Sequence, residues 1–259
     1  MTFIIFKDIY YIYAMRTPKI LIAILLLIIG KSSLGQKLNK VEREYFILGT
    51  LSDYMGRYLD PRDKNVVDRY DALEFPLIDA IDSVLKKDYT NSSYKVDKYS
   101  DSGVNVRSAK ILSDTLFKKL NSYYVFHESG SYTSDGDPEL DNRPILMGAL
   151  KENIFSDDAE KFAFLAGAYV RFGFRKDTCY EILIANSLSK ARVCYEVLKY
   201  FKCKPFYTTI QGNIPTPHMV YFHPTKEMEE YLNRFMYLRR RLEKSRKTFF
   251  DMVREGKIR

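Results

Sequence analysis

The sequence predicts a mainly α-helical single domain with a few short β-strands. Three observations predict it. Apolar residues recur every three or four positions over most of the chain. Cap residues open those runs and glycine or proline closes several of them. Only short segments, 123–126 and a possible small hairpin near 205–223, read as extended.

In chain order, Val41, Tyr45, Leu48, Met55 and Leu59 form the first stripe, which Asp60 and Pro61 end. A short helix is expected over 66–74. Pro76 starts the next, with Leu77, Ile81, Val84 and Leu85 inward. Residues 88–105 are polar and without period, so a loop is expected. A helix over 107–120 follows, then a short strand at 123–126 and a turn-rich stretch over 127–144. Ser156 or Asp157 caps a helix to about Phe172, on which Ala159, Ala163 and Gly167 lie four apart and admit a close neighbour. Asp177 caps another, interrupted at 186–189, that resumes to about Phe201. The segments 206–210 and 219–222 are expected to pair as antiparallel strands. Thr225 caps a last long helix, 225–255, with Met228, Phe235, Leu242 and Phe249 on one row and Tyr231, Leu238, Ser245 and Met252 on the next. No internal repeat is evident, so residues 36–259 are expected to form one domain.

The N-terminus suggests export. Arg16 and Lys19 precede the apolar run 20–29, and Ser33 and Gly35 supply small residues at a cleavage site before Gln36. Ten helical residues reach only ~15 Å, about half of a ~30 Å hydrocarbon core, so the run is too short to span. Residues 1–35 are therefore expected to be a signal peptide, with Met15 as the candidate true start. The expected location is periplasmic or secreted, with no stable membrane span after cleavage.

The chain carries 41 Lys and Arg against 33 Asp and Glu, a net charge of +8. The excess lies at the C-terminal end, where residues 234–259 hold ten basic and three acidic side chains. A basic helix commonly meets nucleic acid. An exported protein seldom does, so the expected partner is an unknown protein or anionic envelope component, and nucleic acid is excluded. The competing reading is an ordinary solvated face.

Export permits disulfides. A helical hairpin bending at 186–189 brings Cys179 level with Cys194 and makes them the candidate bridge, with Cys203 left over. The competing reading is three small buried hydrophobes.

Chemistry is expected, if anywhere, in the 127–141 loop. Asp135, Asp137, Glu139 and Asp141 alternate, and such a series supplies oxygen ligands to calcium. It lacks the EF-hand sequel, since Leu146 stands where the closing glutamate belongs. His127 beside Glu128 is the candidate catalytic pair. His218 and His223 do not form a two-point zinc site. No phosphate loop, dinucleotide fingerprint, nucleophile elbow or zinc-protease motif occurs. No cofactor other than calcium is indicated. Tyr94, Tyr99, Tyr123, Tyr124, Phe126 and Tyr132 bracket the polar loops as a candidate binding surface. The expectation is an exported, non-catalytic binding protein of the cell envelope. The alternative is an exported hydrolase or metal-dependent enzyme centred on residues 127–141.

Overall fold

The computed structural model describes residues 38–255, apart from 55, 62, 64, 90–92, 101–106, 132–142, 211 and 213–215. The signal-peptide segment and the acidic series Asp135, Asp137, Glu139 and Asp141 lie outside the described residues.

The chain opens with α1 (Lys40–Thr50), started by a capping box in which Asn39 and Glu42 satisfy each other's backbone amides. Strands β1 (Arg57–Leu59) and β2 (Val66–Asp71) follow, then a 3-10 turn (Ala72–Glu74) and α2 (Phe75–Asp88), with Pro76 in its first turn. Next come β3 (Lys95–Ser100), β4 (Arg107–Leu112), α3 (Asp114–Asn121), β5 (Tyr124–Ser131) and β6 (Pro144–Leu150). The second half runs α4 (Asp158–Phe172), β7 (Gly173–Lys176), β8 (Cys179–Ala185), α5 (Leu188–Tyr200), β9 (Phe206–Thr209), β10 (Pro217–Phe222), α6 (Lys226–Asn233) and α7 (Met236–Arg254).

The mainly α expectation is corrected. The described residues form three antiparallel sheets, ordered β1-β6-β5, β2-β4-β3 and β7-β8-β10-β9. The expected helix over 66–74 is β2 and the 3-10 turn, and the helix over 107–120 divides into β4 and α3. The loop expected over 88–105 contains β3. The helix expected after Asp177 is β8, and Asp177 instead sits at φ +55 in the turn between β7 and β8. The strands around the 210–216 loop do pair, Val220 opposite Tyr207 and His218 opposite Thr209.

The topology also reveals a repeat. The order α1, β1, α3, β5, β6 matches α4, β8, α5, β9, β10, and the sheet orders β1-β6-β5 and β8-β10-β9 agree. Each of these neighbours pairs antiparallel. The first copy carries β2, α2, β3 and β4 between β1 and α3, folded as a sheet of its own. The second copy has β7 as an extra edge.

The two copies meet where α1 packs on α4. A Cβ placed on Gly167 would stand 2.1 Å from the Phe46 carbonyl oxygen, and one on Gly49 would stand 2.1 Å from that of Phe164. Only glycine lets the two backbones come this close. Phe46, Leu48, Phe164, Leu165 and Val170 around the contact are wholly buried.

Candidate functional site

Helix α1 ends against other elements; the Ile47 and Leu48 carbonyls are taken locally by the Thr50 hydroxyl and the Leu51 amide, and the Thr50 and Leu51 carbonyls look outside the helix for donors. Two buried cations take the end of the helix. Arg171, in the last turn of α4, donates Nη1 to the Thr50 carbonyl at 2.6 Å. Lys190 of α5 donates Nζ to the Leu51 carbonyl. Positive charge there also suits the negative end of the helix dipole.

Each cation has carboxylate partners. Arg171 grips Glu74 in a two-point fork, Nε to Oε1 at 2.8 Å and Nη2 to Oε2 at 2.7 Å. It also donates to Asp68 Oδ2 and to the Arg69 carbonyl, and its guanidinium lies 4.5 Å from the centre of the Tyr70 ring. Asp68 accepts a further bond from the Ser52 amide at 3.0 Å. Lys190 pairs with Asp53 at 2.9 Å, and Asp53 accepts the Tyr124 hydroxyl at 2.6 Å. From α7, Arg246 reaches Glu74 at 3.6 Å and donates to the Arg171 carbonyl at 2.8 Å.

Burial acts on both cations, with opposite outcomes. Burial opposes the charged form of Arg171, but Asp68 and Glu74 outweigh it and hold the guanidinium charged. Burial pushes Lys190 below the ordinary lysine range, against the pull of Asp53. Burial also pushes the Tyr124 hydroxyl well up, with Asp53 adding to it, so it remains a donor. In this cluster the two cations occupy the carboxylates. Among the described residues, no three His, Cys, Asp or Glu side chains converge as a metal-ligand set. The cluster locks the end of α1 to α4, α5 and β2.

None of these charged residues stands out in a motif. One signal was available: Arg171 is the only charge between Lys161 and Arg175, inside the run Phe162–Phe174. A charge in the middle of a core stripe needs buried partners.

The residues singled out by sequence are placed as follows. His127 and Glu128 are exposed neighbours on β5, opposite Met147 and Leu146, so they point to opposite faces of the strand. They do not form a pair. Cys179, Cys194 and Cys203 are free thiols. Cys179 opens β8 and Cys194 lies in α5, so the helical hairpin behind the proposed bridge is replaced by a strand and a helix. Burial pushes the Cys194 thiol up to about 12, which makes it a poor nucleophile. His218 is buried on β10 and bonds the Tyr207 hydroxyl through Nδ1 at 2.8 Å, and burial lowers its pKa. Tyr123 and Tyr124 spend their hydroxyls on Glu44 and Asp53.

The second charged feature lies on the surface. Helix α7 turns Leu238 and Leu242 into the core, while Phe249 and Met252 are half-buried. Its opposite face exposes Arg240, Arg241, Lys244 and Lys247, spaced as one helical stripe, with Tyr237 at its start 72% exposed. Among the described residues none of these four cations is in an ion pair. Glu243 is the acid beside them.

Neither a scan against family models nor a search of curated proteins finds a match. Solved structures do match. One is a set of mesophilic variants of the homing endonuclease I-DmoI, at TM-score 0.48 and 11% identity, over 74% of this chain and 94% of that one. Another is I-DmoI in complex with DNA and Mn, at 0.47 and 12%, over 77% and 97%. A third is the N-terminal LAGLIDADG domain of DUF199/WhiA, at 0.44 and 13%, over 76% and 83%. These are endonucleases and a WhiA domain, not envelope proteins. The expectations of an exported envelope-binding protein, of a periplasmic or secreted location, of an envelope partner and of no nucleic acid do not stand beside them. Among the described residues no helix is long and apolar enough to cross a membrane.

Proposed function

We propose that the protein binds nucleic acid, with α7 as the element that meets the phosphates. The observation that carries this is the stripe of Arg240, Arg241, Lys244 and Lys247. These are four exposed cations without ion-pair partners among the described residues, on a chain of net charge +8. A helix face of this kind meets a backbone that carries one charge per ~1.7 Å of duplex. The I-DmoI structure named above is a DNA complex, but the proposal rests on the charge of this helix. The inner face, held by Leu238 and Leu242, is independent of the stripe, so the cations are removable without unseating the helix. The buried cluster under α1 positions this helix through Arg246 and contacts no ligand in this reading.

The test is fluorescence anisotropy of a labelled DNA duplex across a salt series. Wild-type affinity is expected to fall linearly with log salt, by about 0.9 log unit per phosphate contact. Replacing Arg240, Arg241, Lys244 and Lys247 with Gln is expected to flatten that slope by about 3.6 if each meets one phosphate. Absence of binding at low salt, or an unchanged slope in the variant, would overturn the proposal.

A further inference from the structure

Strand β9 is an edge. In the order β7-β8-β10-β9 its far side pairs with no strand among the described residues. The Ile210 amide bonds the Pro217 carbonyl at 3.4 Å. Ladder alternation then turns the amides and carbonyls of Tyr207 and Thr209 away from β10, toward the open side. Folded proteins guard such edges with charge. The other five edge strands follow that rule, with Arg57 on β1, Glu128 on β5, Arg69 on β2, Lys98 on β3 and Arg175 on β7. Strand β9 carries no charge, its Phe206 is 65% exposed, and Ile210 just beyond it is 44% exposed. Along this edge runs a groove of about 490 Å³, walled by Leu188, Arg192, Tyr195 and Glu196 of α5 and by Phe206 and Tyr207.

We infer that the edge and the groove seat a second copy of this chain, its β9 antiparallel to the first across a two-fold axis at Thr208. The outward backbone groups set the register. Pairing Tyr207 with the partner's Thr209, and Thr209 with the partner's Tyr207, uses every one of them. The same register sets Phe206 opposite the partner's Ile210, so the exposed apolar side chains cover each other. Two four-residue strands make too small an interface alone, since a specific one buries at least ~1,000 Å², so α5 must contribute. It carries the matching charges. Arg192 and Glu196 lie one turn apart, and a cation and an anion so placed complement themselves when the two-fold turns the helix over. Their present partners, Glu152 at 3.4 Å and Lys199 at 3.9 Å, form exposed pairs of little worth that are free to exchange. A strand from an unrelated protein would fill the edge but would gain nothing from that balance of charge.

The test is sedimentation equilibrium of the full chain over a concentration series, where a reversible monomer–dimer equilibrium is expected. Thr209→Pro removes an outward amide and leaves the ladder to β10 intact. It is expected to weaken the dimer about tenfold or more, because the two-fold loses that bond twice. Arg192→Glu and Glu196→Arg are each expected to weaken the dimer, and the two together to restore it. Circular dichroism checks that each variant folds. If Thr209→Pro does not, Phe206→Lys takes its place and is expected to weaken the dimer by setting a charge on the edge. The variant lacking the α7 stripe is expected to dimerise as wild type does, which separates this surface from the nucleic-acid reading. A wild-type chain that stays monomeric at every concentration would overturn the assignment and leave the edge to a strand of another protein. A dimer unchanged by the edge substitution, or a charge exchange that fails to restore it, would overturn it as well.

Discussion

Arg171 joins the helix end, the inserted sheet and the C-terminal helix through one side chain. Its five donors reach Thr50, Arg69, Asp68 and Glu74, and its own carbonyl is held by Arg246. Replacing it with methionine keeps most of the volume and removes the charge. Asp68 and Glu74 then lose their principal counter-ion while remaining buried, and such losses cost about 3–5 kcal/mol. Arg171→Met is expected to lower stability by about that much in urea unfolding. Adding Asp68→Asn and Glu74→Gln is expected to recover part of the loss, because the uncompensated charges go with them. If the single variant is as stable as wild type, the cluster is not what anchors the end of α1. Little of this was legible in sequence. Arg171 announces itself as a charge in an apolar stripe, but its partners come from about a hundred positions earlier and no local spacing connects them.

Among the elements, helices with side-chain caps were the easiest to read. Asn39, Ser113, Asp157 and Thr225 each accept a first-turn amide, and the last two were expected to. Strands were missed for physical reasons. The outer row of the β2-β4-β3 sheet is Arg69, Lys110 and Asp97, so β3 reads as polar loop. On β8, Tyr180, Ile182 and Ile184 alternate inward, a period of two that the preceding Asp177 cap signal masked. The small residue at Gly167 was readable as a close-approach site, but its partner Gly49 was not. Gly167→Ala tests the contact. The obstacle is the Phe46 carbonyl, which is backbone and cannot swing away, so about 3 kcal/mol or more of destabilisation is expected. Chemical denaturation of the variant measures it. A loss below 1 kcal/mol, the scale of a tolerated hydrophobic swap, would mean that α1 and α4 separate more easily than their packing implies.

Taken whole, the molecule is two copies of one helix-and-sheet plan that do not bury their polar groups independently. The glycine contact is shared between α1 of the first copy and α4 of the second. Arg171 and Lys190 come from the second copy, while Asp53, Asp68 and Glu74 come from the first. Cutting the chain between β6 and α4 therefore separates both cations from all three carboxylates and bares the apolar faces around Phe46 and Phe164. The fragments 36–152 and 153–259, made separately, are expected to show little cooperative unfolding by circular dichroism. Each would hold uncompensated buried charge and an open core face. Mixing them is expected to restore a cooperative transition, since the groups that each lacks are supplied by the other. Arg171→Met in the second fragment is expected to weaken that recovery. Two fragments that unfold cooperatively alone would show instead that each copy is self-sufficient and that the buried ion pairs merely join two finished units.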